Sequence, residues 1–105
     1  MASIMQGTTP SLKIIIDPDD LLVSAIADIE LYIKNTGLET KTLEDVVIDT
    51  VTNSITYLFT VEETAALDPT KQLIVQGRLF SGNDVIGIDK IYFNVKDMLG
   101  VGADG

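Results

Sequence analysis

TVEETAALDPTKQLIVQGRLFSGNDVIGIDKIYFNV, residues 60–95, reads as a capped helical turn feeding a long β-hairpin, and the fold follows from that reading. Thr60 and Glu63 fit a capping box, in which the threonine hydroxyl accepts the N–H at N3 and the glutamate reaches back to the cap's own N–H. The helix that starts there is short, because Asp68 precedes Pro69 and a residue before proline is pushed out of the α region. Beyond the proline, Leu73, Val75, Gly77 and Leu79 alternate with Gln72, Gln76 and Arg78, the period of a strand with one buried face. Ser81-Gly82-Asn83-Asp84 supplies residues that tolerate positive φ and predicts a tight turn. The return strand places Ile91, Phe93 and Val95 on one face, opposite Lys90, Tyr92, Asn94 and Lys96.

Working outward, the cleanest half-buried strand is Asp28–Lys34, where Ile29, Leu31 and Ile33 alternate with polar residues. Asn35-Thr36-Gly37 closes it, and Leu38–Leu43, rich in threonine, predicts a hairpin partner. Val46–Ile48 is a short strand; Asn53-Ser54 marks a turn; Ile55, Tyr57 and Phe59 alternate up to the capped turn. Upstream, Ser11–Asp17 offers Leu12, Ile14 and Ile16 on one face, and Ser3–Pro10 suits an edge strand broken by Gly7 and Pro10. Pro18-Asp19-Asp20 is turn chemistry, whereas Leu21–Ala27 is apolar without a period and fits either a loop or a short helical turn packed on the core.

About seven short strands with regularly spaced turn signals and no crossover helices predict an all-β, antiparallel sandwich or barrel. An immunoglobulin-like β-sandwich with one short helical turn at Thr60–Leu67 is the first choice, because such a turn commonly sits between two late strands of those folds; a small barrel is the alternative. A chain of 105 residues has room for one core. The expected organisation is a single domain over residues 1–97 and a flexible tail over 98–105.

Composition narrows the chemistry. Hydrophobic residues make up 46% of the chain and charged ones 22%, which excludes disorder. Seven basic against sixteen acidic residues leave a net charge of −9, which repels phosphate backbones, so nucleic acid is not an expected partner. No apolar run is long enough to span a membrane, and the N-terminus lacks the pattern of a signal peptide. Cysteine and histidine are both absent, removing thiolate chemistry, the commonest general base and the commonest transition-metal ligand.

The remaining candidates are weak. Asp17, Asp19 and Asp20 have hard oxygen ligands for calcium, but lack the spacing of a complete loop and read better as a turn. Adjacent Glu62 and Glu63 diverge on a helix and suit its first turn through the dipole. Tyr32, Tyr57 and Tyr92 allow a sugar-binding platform, with core and ordinary surface placement favoured. The chain is therefore expected to be non-enzymatic and to need no cofactor. What stands out is surface: with strict alternation, Ile74, Phe80, Ile86, Ile88 and Tyr92 fall on the face of the last hairpin opposite its core side. Such a stripe is costly to leave exposed. It marks a partner contact, unless the register departs from strict alternation.

IMQGTTP (Ile4–Pro10), TVEET (Thr60–Thr64), VQGR (Val75–Arg78) and the closing FNV before DMLG occur in one order along most of the chain. Together they resemble a family of small β-sandwich proteins encoded among the tail and baseplate genes of phages and prophages of Gram-positive bacteria. The chain departs from that pattern at Gly77, where a β-branched residue is usual, and in the longer apolar stretch Leu21–Ala27. The resemblance implies a virion or assembly protein with no catalytic residues, acting through contacts with other phage structural proteins or with itself. It would reside in the bacterial cytoplasm during assembly and then in the virion. The competing expectation is a module that binds carbohydrate or a host surface.

Overall fold

A computed structural model describes residues 2–99. In it the alternating segments become eight strands: β1 (Ser3–Met5), β2 (Ser11–Ile15), β3 (Asp28–Lys34), β4 (Leu38–Lys41), β5 (Val46–Asp49), β6 (Ser54–Leu58), β7 (Leu73–Ser81) and β8 (Asp84–Lys96). One helix, α1 (Val61–Ala65), and two 3₁₀ turns, Val23–Ala25 and Leu43–Asp45, complete the fold. A five-stranded sheet in the order β1-β8-β7-β3-β4 faces a three-stranded sheet in the order β2-β6-β5. The protein is an all-β sandwich. Pairing is antiparallel except at one edge, where β1 runs parallel to β8.

The core lies between the sheets, where apolar residues from both inner faces meet. Ile29, Leu31 and Ile33 of β3, Leu73, Val75 and Leu79 of β7, and Phe93 and Val95 of β8 pack against Leu12 of β2 and Ile55 and Tyr57 of β6. Burying side chains of this size contributes roughly 1.5–3 kcal/mol each. Phe59, just past β6, meets Tyr57 edge-on with ring centroids 4.9 Å apart. The apolar stretch 21–27 joins this core through Leu21 and Val23.

That stretch is held by one side chain. Asn53, in the turn between β5 and β6, donates from Nδ2 to the carbonyls of Ile16 (2.7 Å) and Leu21 (2.9 Å) and accepts the N–H of Val23 on Oδ1 (2.8 Å). Its φ of 51° lies in the left-handed region, which asparagine tolerates better than most residues.

The expected capping box forms: the Thr60 hydroxyl accepts Glu63 N–H at 3.1 Å, and the Glu63 carboxylate accepts Thr60 N–H at 2.9 Å. The β7–β8 turn has Gly82 at φ 58° in its first central position, as a type II′ hairpin requires. The segment between β1 and β2 carries the chain from one sheet to the other. Gly7 turns there at φ 73°, and buried Gln6 donates to the Leu67 carbonyl at 2.8 Å. Gln6 also accepts the N–H of Met98 at 3.2 Å, so the start of the expected tail is tied to β1's exit. Residues 100–105 of that tail lie outside the described residues.

β8 is not a regular strand. Val75 pairs with Ile91 and Gly77 with Ile88, so two steps along β7 match three along β8, and a β-bulge accommodates the extra residue. At the same place a Cβ on Gly77 would lie 2.7 Å from the Glu30 carbonyl oxygen of β3. Glycine is there because the neighbouring strand leaves no room for a side chain.

Candidate functional site

The bulge decides which residues share a face. Between Val95 and Ile91, odd-numbered positions of β8 point inward; beyond the bulge, even-numbered positions do. Ile86 pairs with core residue Leu79, and Ile88 with Gly77. Both are half-buried and pack against the core. The expected outward stripe of five residues is therefore corrected: strict alternation fails at the bulge, and Ile86 and Ile88 belong to the inner face. With Leu79 and with Ile14, Ile15 and Ile16 at the β2 edge, they line a small groove of about 180 Å³.

The other three residues do face outward. Ile74 pairs with Tyr92 on one side and with Lys34 on the other, and Lys34 pairs with Leu38, giving a cross-strand row over four strands. Tyr92 and Leu38 in this row are exposed. Phe80 pairs with exposed Val85 near the hairpin tip. Between the two apolar groups lies a polar knot. Tyr32 donates its hydroxyl to Glu30 at 2.6 Å; Arg78 donates Nη2 to the same carboxylate oxygen and Nε to the Tyr32 hydroxyl at 3.1 Å. The Tyr32 hydrogen bond and the Arg78 guanidinium hold the Glu30 carboxyl below the usual range. Arg78 also sits 5.3 Å above the Phe80 ring centroid. The sequence hid this knot, because nothing local links residues 30 and 78; only the β3–β7 register places them opposite one another.

A second site lies at one end of the sandwich. A cavity of about 560 Å³ separates the β3–β4 hairpin from α1, with Ile33, Phe59 and Leu67 among its apolar lining and Glu39, Glu62 and Glu63 among its polar residues. Glu39 and Lys41 pair with Ile33 and Leu31, so these two charged residues of edge strand β4 point to the inner side. Lys41 Nζ lies 3.1 Å from Glu63 and 3.4 Å from Glu39, and 5.7 Å from the Tyr57 ring centroid. Tyr57 donates its hydroxyl to Glu63 at 2.5 Å. Burial, then the hydrogen bond to Glu63, pushes the Tyr57 hydroxyl up to about 12. Burial opposes ionisation of Glu63, yet hydrogen bonds from Tyr57, the Thr60 N–H and Lys41 outweigh it and keep its pKa low. Each member of this triad already has a structural partner, so the arrangement orients the end of the sandwich.

Asp17 Oδ1 accepts the Asp19 N–H at 2.9 Å, and the Asp17 carbonyl accepts those of Asp20 and Leu21, a hydrogen-bonded turn. Among the described residues no three acidic side chains gather as a metal site would require. Tyr57 faces the core from the small sheet whereas Tyr32 and Tyr92 lie on the outer face of the large one, so the three tyrosines do not form one platform. No helix among the described residues is long and apolar enough to cross a membrane. In comparison with known proteins, no protein-family model and no curated protein matches this chain.

Proposed function

We propose that the protein is a non-enzymatic structural or assembly component of a phage or prophage, in the tail or baseplate, whose large-sheet outer face contacts other subunits. The observation that carries this reading is the character of that face. In a chain of net charge −9, it brings Leu38, Ile74, Tyr92, Phe80 and Val85 to the surface beside Lys34 and Arg78, balanced by Asp28 and Glu30. The acidic excess sits largely in the turns and at the sandwich ends, so this face meets a protein surface without the repulsion that the whole molecule would generate.

The motifs behind the phage resemblance also cooperate physically: IMQGTTP and TVEET touch through Thr8 and Thr64. We read the sandwich as immunoglobulin-like on its strand order. Lettering β2, β3 and β5–β8 as B to G gives sheets B-E-D and G-F-C, with a parallel leading strand beside G and an added strand beside C.

The test is the solution mass across a concentration series, alone and with the products of neighbouring structural genes, for the natural chain and for a Ile74→Asp, Tyr92→Asp variant. An oligomer or complex that the variant loses while remaining folded supports the assignment. Assembly unaffected by the variant, or a monomer that joins none of those products, removes it. Ile88, which faces the core, is not a usable probe of this face.

A further inference from the structure

The end cavity between β4 and α1 combines three features that nothing in the fold requires together. Its floor is apolar: Phe59 is only 2% exposed, and Ile33 and Leu67 line the walls. Its charged lining is acidic: Glu39, Glu62 and Glu63 line it, and of these Glu39 and Glu63 are paired with Lys41. Among the described residues Glu62 has no ion pair, and this exposed residue stands beside the apolar opening. Finally, among the described residues β4 is the edge of its sheet, with a partner strand on one side only, so its outer backbone N–H and C=O groups have no strand to bind. Charged residues pointing inward at a sheet edge deter indiscriminate strand addition. Here their sign also selects what lies alongside.

We propose that this cavity is a docking groove for an extended segment of a partner protein, one that inserts an apolar side chain toward Phe59 and sets a lysine or arginine against Glu62 and Glu39. The apolar side chain supplies buried area; the cation supplies the charge that the groove lacks; the edge of β4 supplies main-chain hydrogen bonds in the manner of strand addition. An acidic segment is excluded by the same carboxylates. The groove borders the outer face of the large sheet at Leu38, which lines both, and residues 59–67 of its far wall belong to the groove alone.

The probe is a pair of synthetic peptides, acetyl-TKTLTKT-amide and acetyl-TETLTET-amide, in which the charges share the leucine's face of the strand, titrated into the isotopically labelled full chain while backbone amide resonances are followed. The basic peptide is expected to shift amides of 38–41 and 62–67 saturably, with an affinity that falls as salt is raised; the acidic one is not. Glu62→Lys should weaken binding about fivefold, the size of one exposed ion pair. Ala66→Phe, an exposed position on the groove wall, should abolish it while leaving a dispersed spectrum. The proposal is overturned if the two peptides act alike, if neither shifts these amides, if the shifts fall on 74 and 92 instead, or if both variants bind as the natural chain does.

Discussion

The hydroxyl of Thr64 donates to the carbonyl of Thr8 at 2.7 Å and accepts the N–H of the same residue at 3.0 Å. Thr64 is fully buried, so this reciprocal pair fastens the segment that crosses between the sheets to the helical turn at the sandwich end. Thr64→Val keeps the shape and removes both bonds, leaving two backbone groups unsatisfied. It should cost about 1–3 kcal/mol. Thr64→Ser, which retains the hydroxyl, should cost less, and the denaturant midpoints of the two variants check the order.

Asn53 offers a sharper separation of causes. Asn53→Gly keeps the left-handed turn and loses three side-chain hydrogen bonds; at a net 0.5–1.5 kcal/mol each, the expected loss is about 2–4 kcal/mol. Asn53→Ala loses the same bonds and adds the strain of a Cβ at positive φ, about 1 kcal/mol more. Equal unfolding free energies for the two variants would mean that backbone strain plays no part at this turn.

Gly77→Ala tests the close approach of β7 to β3. The added methyl would meet the Glu30 carbonyl oxygen and, at 3.3 and 3.4 Å, the Cδ1 atoms of Leu31 and Ile88. Since two of its three neighbours are core side chains and the third is backbone, the strands must part, and the expected cost is about 1–3 kcal/mol. Gly87→Ala in the paired strand, where a Cβ meets nothing within 4 Å, serves as the control and should cost much less. Thermal midpoints measured side by side distinguish the two.

The triad at the sandwich end makes stability depend on pH at both extremes. Glu63 titrates in the folded protein below its ordinary value of 4.5, so its contribution is present above that pH and is lost as pH falls through the lower folded value. Tyr57 is raised from 10.0 to about 12, so its contribution is present below pH 10 and is lost as pH rises toward 12. Absorbance of the tyrosinate should show a late step near pH 12, absent in Tyr57→Phe. In Glu63→Gln, which preserves the capping box, that step should move to lower pH.

Much of the sandwich could be read from alternation alone. Ile29, Leu31 and Ile33 announced β3 with its observed bounds, and Thr60 and Glu63 announced the capped turn. Regular alternation failed in β8, because a bulge shifts the face of every residue beyond it and no turn residue marks the place. Gly77 was the available signal: a glycine inside an otherwise apolar strand face often accompanies a bulge or a close backbone approach. Read that way, Ile86 and Ile88 would have been assigned to the inner face. The end groove was hidden for a different reason. Its walls, residues 33–39 and 59–67, are far apart in sequence and meet only after both sheets have formed.

The parallel pairing of Ser3–Met5 with Asn94–Lys96 sets an order of events during synthesis. β1 leaves the ribosome before the other strands but has no strand to pair with until β8 has emerged. Meanwhile β1 lacks its strand partner, and Gln6 cannot reach both Leu67 and Met98. The pairing of β1 is thus completed only together with β8. A nascent chain arrested before β8 should leave β1 open to protease, whereas the completed chain should close over it in one step.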